Sequence, residues 1–557
     1  MDYNILLGGA AGQGMNTIGD VLGKVITRTG YYIFFNKDYM SRVRGGHNFN
    51  QLRFSEKPLY SHKEKLDVII ALNEETIDKH KERLMKDGII VASSDFKITD
   101  EKIITLPFKE IAKEIGNVKV FGTVIVGTII KMFNLSLDIL EDVLKEYFSG
   151  EILEMNIQAA QRGYELTGNR FNLVHPNQKD RITINGNQAV GLGALAAGCI
   201  FFSGYPMTPG TGVMNYIASK QKELGIVVEQ AEDEIAALNM VLGASFAGAR
   251  AMTSTSGGGY SLMVEAIGLS GIIETPAVIV NVQRPGPATG LPTRTAQADL
   301  KFVINAAQDE IPRLIISLRH AEEAFYQTAR AFNLAEKYQI PVTILSDQYL
   351  ADTGVTIDPY DFTKIKIERY LATKEDIGEA PYKRYKITDS GISPRIIPGK
   401  IPGQVFMVDS DEHDEFGHII ESGDLRNQMM EKRMRKMELI AQDVQEPWHL
   451  GNLEPEVLLI AWGSTYGPIK EAVELLEKDD KKVAALVFGD VWPLPTKLIQ
   501  EYSQKAKKII SIEGNYSGQL ADVIQEKTCI PIKERLNKYD GRPWSYDEIY
   551  RRIQEVL

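Results

Sequence analysis

Cysteine is scarce: the 557 residues hold two, Cys199 and Cys529. That excludes a disulfide framework and any iron–sulfur cluster held by four cysteines of this chain. Positive charge is not in excess. Lys plus Arg number 63 against 74 Asp plus Glu, a net of −11, which argues against a dedicated nucleic-acid binder. Long apolar runs are also missing. The most apolar stretch, 189–202, is broken by glycines and falls short of the about 20 residues that a bilayer span needs. A buried helix followed by a strand is expected there. The opening Met1-Asp2-Tyr3-Asn4 lacks the basic segment and longer apolar run of a secretory leader. The expectation is a cytoplasmic protein with neither a membrane nor a nucleic-acid partner. No metal site is expected either. None of the eight histidines forms a His-x-x-x-His pair, the two cysteines have no ligand spacing, and His413 to His418 reads as a solvated loop.

What is present is ordinary globular chain. Apolar residues make up 44% and charged residues 25%, enough for several cores. At roughly 150 residues per domain the length predicts three or four domains. Short apolar runs at Asn4 to Leu7, Tyr31 to Phe35, Asp67 to Ala71 and Gly88 to Ala92 alternate with helical patterns. This rhythm predicts a parallel sheet covered by helices. It is expected over 1–175, followed by a polar linker. A second α/β domain is expected over 180–357 and a long Pro-, Gly- and charge-rich connection over 358–447. A third α/β domain is expected over 448–557. The fold class is therefore α/β, with three open parallel-sheet domains.

Four glycine- and proline-bearing segments carry the chemistry. Gly8-Gly9-Ala10-Ala11-Gly12-Gln13-Gly14 lies between a strand and a helix, where backbone N–H groups can meet an anion. The dinucleotide fingerprint needs glycines at i, i+2 and i+5. Thr17 stands at the last place from Gly12, and Ala11 at the second place from Gly9, so that fingerprint is not met. A tight packing turn is the competing reading. Tyr39 to Asn48 is a basic loop; Arg42, Arg44 and Arg53 could grip a phosphate-bearing ligand, or the loop could face another subunit. Gly204-Tyr205-Pro206-Met207-Thr208-Pro209-Gly210 sits at the carboxyl end of a strand, where open α/β sheets bind ligands. Its prolines stiffen it, and the Thr208 hydroxyl suits a small polar substrate. Arg284, in the stiff segment Arg284-Pro285-Gly286-Pro287, is apt for a bidentate hold on a carboxylate, with a surface ion pair as the alternative.

Two further segments complete the set. Ser254-Thr255-Ser256-Gly257-Gly258-Gly259 follows another strand and could cradle a ring or an anion. Glu229, Glu232, Asp233 and Glu234 cluster at a helix start, which the helix dipole alone favours. Glu234 differs, because Ile235-Ala236-Ala237-Leu238 follows it. A carboxylate held among apolar groups can share a proton with a ring nitrogen.

Together these motifs resemble the alpha subunit of the 2-oxoacid:ferredoxin oxidoreductases. The resemblance is carried by Gly204 to Pro209, Glu234, the run Arg284 to Thr293, and Glu412-His413-Asp414-Glu415-Phe416-Gly417. The opening glycine segment and Arg44-Gly45-Gly46 resemble the family's gamma unit, fused in front. Trp492 to Pro495 and Glu513 to Gly518 resemble a transketolase C-terminal type domain, for which packing and assembly is the preferred role. Met207 stands where the family commonly has isoleucine and Ala11 where it often has glycine; neither change removes a functional group.

The resemblance implies thiamine diphosphate-dependent oxidative decarboxylation of a 2-oxo acid. Coenzyme A takes the acyl group and electrons pass to ferredoxin. It implies that Glu234 is catalytic and binds the aminopyrimidine nitrogen. It also implies that Pro206, Ser256 and Gly257 contact the cofactor, and that Tyr205, Thr208, Arg284 and Thr293 hold the oxo acid. Arg42, Arg44, Gly12 and Gly14 are candidates for coenzyme A or subunit contact. No Gly-Asp is followed by glycine anywhere in the chain. The diphosphate, Mg2+ and the iron–sulfur cluster are accordingly expected on a beta subunit, in a heterodimer or its dimer, with only the pyrimidine half contacted here. 2-Oxoglutarate is the preferred substrate, then pyruvate or a branched-chain oxo acid. Readings from other classes are an NAD-dependent dehydrogenase and a non-catalytic assembly subunit.

Overall fold

The computed structural model describes residues 1–557 apart from 42–44, 99, 172, 174–175 and 177–179. Two compact units divide the chain. One is Met1–Ile184 with Thr353–Pro359 and Ser545–Glu548. The other is Asn185–Asp352 with Tyr360–Trp544 and Ile549–Leu557.

In the first unit, the apolar run after Asn4 enters a strand, Asp2–Ala11, that continues through Gly8 and Gly9. A Cβ on Gly8 would sit 2.5 Å from the Thr76 methyl, so only glycine admits this approach. The turn is confined to Gly12–Gly14, both ends having positive φ (93° and 75°), before helix Met15–Arg28. The Ala10 N–H is taken by Gln13 Oε1 at 2.7 Å, so part of the expected anion-binding backbone is internally satisfied.

The first sheet has eight strands. Their order is Ile103–Leu106, Leu84–Ser93, Leu66–Ala71, Asp2–Ala11, Gly45–Ser55, Tyr32–Asp38, Gly354–Ile357, Ile182–Ile184. Pairing is parallel from Ile103–Leu106 to Asp2–Ala11 and antiparallel across the rest. The α/β class holds, but this sheet is mixed rather than wholly parallel. The reason is strand Gly45–Ser55, inserted antiparallel between Asp2–Ala11 and Tyr32–Asp38; it takes up residues read as the end of a loop. Ile182–Ile184 and Gly354–Ile357 pair with each other, and Gly354–Ile357 also pairs with Tyr32–Asp38. Their backbone bonds put both ends of the expected 180–357 segment in the first unit.

The second unit carries a seven-stranded sheet. Its order is Asp490–Trp492, Leu314–Ser317, Pro341–Asp347, Ala277–Gln283, Arg250–Thr255, Cys199–Gly204, Val227–Gln230. Every neighbouring pair is parallel except the one made by the edge strand Asp490–Trp492. Small residues let its helices approach closely: a Cβ on Gly193, in helix Gly186–Ala196, would lie 2.3 Å from the Phe325 carbonyl oxygen of helix Ala321–Tyr338.

A five-stranded sheet follows, ordered Trp448–Gly451, Val483–Phe488, Val457–Trp462, Lys508–Glu513, Glu534–Asn537. One buried cluster runs through both sheets, from Leu238 and Ile279 to Leu458 and Leu486. The Glu513-Gly514-Asn515 segment is part of this packing. The buried Glu513 carboxylate accepts from Trp462 Nε1 and from the Leu520 and Ala521 N–H groups, and Asn515 Nδ2 donates to the Gln297 carbonyl.

In the long connection, helix Gly423–Asp443 covers the expected charged helical run. His413 departs from the solvated reading. It is fully buried, with its ring centroid 4.0 Å from that of Tyr385, because the Glu412-His413 turn folds inward onto Arg433 of that helix. Burial lowers the His413 pKa. Among the described residues no helix is long and apolar enough to cross a membrane.

Candidate active site

Three neighbouring parallel strands of the second unit, Cys199–Gly204, Arg250–Thr255 and Ala277–Gln283, end on the same edge of their sheet. Each is followed by one of the glycine- and proline-bearing segments. This is the edge at which open parallel sheets bind ligands.

The first segment is pinned from below. Ser254 Oγ donates to the Gly210 carbonyl at 2.9 Å, and Asn187 Nδ2 to the Pro209 carbonyl at 3.0 Å. A Cβ on Gly210 would lie 2.5 Å from the Thr255 carbonyl oxygen. Tyr205, Pro206 and Thr208 are left exposed at the loop crest. Arg284 Nη1 donates to the Thr208 carbonyl, which joins the first and third segments. Thr293 lies on the same run as Arg284 and is buried.

The second segment is not the loop its glycines predict. Residues Gly257–Leu262 form a short helix after the fully buried Ser256. Three successive glycines disfavour a helix, and packing explains their presence. A Cβ on Gly259 would fall 2.5 Å from Glu234 Oε1 and 2.1 Å from Thr255 Oγ1; one on Gly257 would fall 2.5 Å from Asp299 Oδ2. Two carboxylates thus lie against the bare faces of this turn. Gly259→Ala is expected to cost about 1–3 kcal/mol by overpacking against Glu234 and Thr255, read as a lowered denaturant midpoint.

Glu234 opens helix Glu234–Phe246. Asp233 caps that helix, accepting from the Ala236 N–H at 2.8 Å. The cap leaves the Glu234 side chain free to turn inward, where the residue is 2% exposed and Oε1 has no hydrogen-bond partner. Ser256 Oγ and Asn281 Oδ1 are likewise buried and unpartnered. Unpaired buried polar atoms are costly, so they mark places that await a ligand or water.

Sequence reasoning missed Asn281 and Asp299. Asn281 Nδ2 donates to Asp299 Oδ2 at 3.0 Å. Burial pushes the Asp299 carboxyl up, and that bond draws it partly back.

Of the other predicted residues, Gly12 and Gly14 belong to the first unit. Neither has a heavy atom within 4 Å of a Cβ built on it. Arg42 and Arg44 lie outside the described residues.

Family models match three stretches of the chain. "Pyruvate flavodoxin/ferredoxin oxidoreductase, thiamine diP-bdg" matches 192–432, "Pyruvate ferredoxin/flavodoxin oxidoreductase" 4–166, and "Pyruvate:ferredoxin oxidoreductase core domain II" 455–549. The 2-oxoacid:ferredoxin oxidoreductase subunit alpha of Sulfolobus sp is 34% identical, over 100% of this chain and 97% of that one. The chain belongs to the 2-oxoacid:ferredoxin oxidoreductases, as an alpha subunit. The KorA subunit of 2-oxoglutarate synthase from Methanothermobacter marburgensis is 32% identical over 66% of this alpha subunit and 97% of its own length. A solved 2-oxoglutarate:ferredoxin oxidoreductase from Magnetococcus marinus holds 2-oxoglutarate, coenzyme A and succinyl-CoA. It matches with a TM-score of 0.93 and 34% identity, covering 100% of the alpha subunit and 99% of that chain.

The alpha subunit is thus part of an oxidoreductase that assembles from more than one kind of subunit, and its thiamine diphosphate-binding region, 192–432, contains the whole constellation around Glu234. The Glu412 to Gly417 motif is tied by ion pairs to other residues of the long connection. Glu412 pairs with Arg433 at 2.7 Å and with Arg426, and Glu415 pairs with Lys383 at 2.5 Å.

Proposed function

We propose that this alpha subunit works in the cytoplasm in the oxidative decarboxylation of 2-oxoglutarate to succinyl-CoA. A beta subunit would hold the diphosphate, Mg2+ and an iron–sulfur cluster and pass the electrons to ferredoxin. The observation that carries the reading is the buried, unpartnered Oε1 of Glu234 beside the bare face of Gly259. An acceptor in that setting suits a protonated ring nitrogen, and the unpartnered Ser256 hydroxyl suits a second polar edge. The residues present therefore fit the pyrimidine half of thiamine diphosphate.

In this reading Glu234 holds a proton at Oε1 for the ring nitrogen, acting as acid and base through the cofactor. Pro206, Ser256 and Gly257 line the ring. When bound, thiamine diphosphate supplies the nucleophilic carbon and the electron sink for loss of CO2. Arg284 grips the carboxylate of the oxo acid, while Tyr205, Thr208 and Thr293 border its keto end. The Arg284 donation to the Thr208 carbonyl fixes the guanidinium before substrate arrives, which lowers the cost of ordering it.

The choice of 2-oxoglutarate draws on the Magnetococcus marinus and KorA relatives. The test is an assay of the assembled complex with 2-oxoglutarate, pyruvate and a branched-chain oxo acid. The highest kcat/KM is expected with 2-oxoglutarate, and a preference for pyruvate overturns the substrate. Arg284→Gln is expected to raise KM for the oxo acid about 10- to 100-fold. That is the equivalent of roughly 1.5–3 kcal/mol for a hydrogen bond to a charged group. An unchanged KM removes Arg284 from the substrate site.

A further inference from the structure

We propose that Asp299 is a positioning residue for the oxo acid site, setting Arg284 and the Ser256–Gly259 turn in one register. The inference rests on the reading of Arg284 as the carboxylate grip.

Asp299 immediately precedes helix Leu300–Asn305, where an aspartate ordinarily accepts a backbone N–H of the first turn. It makes no such cap bond. Its carboxylate turns instead to the Asn281 side chain at 3.0 Å and lies against Gly257, whose added Cβ would come within 2.5 Å of Oδ2. Its own N–H donates to Gln283 Oε1 at 3.0 Å, and Gln283 Nε2 donates on to the Ser346 carbonyl at 3.1 Å.

The spacing gives these bonds their consequence. Asn281 and Gln283 are alternate residues near the end of strand Ala277–Gln283, so their side chains share one face of the sheet. Arg284 is the next residue. The Asp299 carboxylate thereby holds Asn281, and its backbone N–H holds Gln283, on the strand end that leads into Arg284. The same carboxylate abuts the first glycine after Ser256. One group spans both walls of the site.

Among the described residues no cation pairs with Asp299, and burial raises its carboxyl pKa. A carboxylate that is neither a cap nor half of an ion pair is a poor stabilising choice. Its polar work is done toward Asn281, on the strand that leads into Arg284.

The test is steady-state kinetics of the assembled holoenzyme with the oxo acid varied. Asp299→Ala is expected to raise KM about tenfold with kcat within about twofold, the pattern of lost substrate binding. Asp299→Asn keeps an acceptor for Asn281 and is expected to restore KM. Asn281→Ala removes the donor, leaves the carboxylate, and is expected to raise KM in the same way, so it carries the test if D299A fails to assemble.

An unchanged KM in D299A or N281A overturns the inference, as does D299N behaving like D299A. If R284Q raises KM while D299A does not, the inference fails alone. If R284Q leaves KM unchanged, the carboxylate-grip reading fails and takes the inference with it.

Discussion

Glu234→Gln is expected to lower kcat of the assembled complex by about 10²–10⁴-fold, the range for losing a positioned general acid–base group. Glutamine matches glutamate in shape, and Oε1 has no protein partner for the amide to lose. The folded state should therefore be almost unaffected, and the thermal midpoint should stay within a degree or two of the parent's, on the order of a surface change. What glutamine cannot do is hold and return a proton. The two readouts together separate a catalytic role from a structural one. A large fall in kcat at constant stability is the expected pair. Near-normal turnover would sink the assignment and favour the assembly-subunit reading. A fall in both quantities would mean that Glu234 acts by packing against Gly259 and Thr255.

This site was legible in the sequence where chain stiffness and chemistry coincide. The prolines around Thr208 and Arg284 mark strand-end segments, and Glu234 leads an apolar helix; all three lie where those features put them. Asp299 was hidden by its position, since an aspartate before a helix reads as a cap, and only the structure reveals a side chain turned away from the cap. The helix after Ser256 has no local signature either, since three successive glycines disfavour a helix. The helix forms because those glycines admit the Glu234 and Asp299 carboxylates.

The first sheet shows the same limit on a larger scale. Strand Gly45–Ser55 carries Asn48, Asn50, Gln51 and Arg53, yet all four are buried. Asn48 accepts from the nearby Met40 N–H, and the other three are tolerated because partners farther along the chain satisfy them. Asn50 donates to the Met15 carbonyl at 3.2 Å, Gln51 to the Lys63 carbonyl at 2.5 Å, and Arg53 to Asp2 at 2.9 and 2.7 Å. A polar string with remote partners has no local signature, so the antiparallel half of the sheet could not be read from periodicity. The parallel strands, buried on both faces, gave continuous apolar runs and were readable.

Glu274→Ala is expected to destabilise the alpha subunit by about 3–5 kcal/mol, the cost of stripping one partner from a buried ion pair. Glu274 is completely buried between helix Val264–Ile272 and strand Ala277–Gln283. Lys432 Nζ and Lys436 Nζ, one turn apart on helix Gly423–Asp443, each approach its carboxylate to 2.5 Å and are themselves fully buried. Arg384 adds a third cation, donating to the Glu274 carbonyl at 2.6 Å. Removing the carboxylate leaves three buried cations with no anion between them, and the long connection loses its anchor on the sheet.

Burial pushes the Glu274 carboxyl up, but the Lys432, Lys436 and Arg384 charges outweigh it and hold the pKa well below the ordinary range. A depressed folded pKa gives stability that is complete above the unfolded value of about 4.3 and is lost as pH falls toward the folded one. The difference in denaturant midpoint between parent and E274A should therefore be full at pH 7 and shrink as the solution is acidified below about pH 4. Replacing the carboxylate and both lysines, as E274L with K432M and K436M, should recover most of the loss, because it removes the desolvation of three ions while Arg384 keeps its bonds to Gln339 Oε1 and the residue-274 carbonyl. If E274A unfolds at the parent's midpoint at pH 7, the cluster contributes nothing to stability. If the triple variant is no better than E274A, the charges position the connection in a way that packing cannot replace.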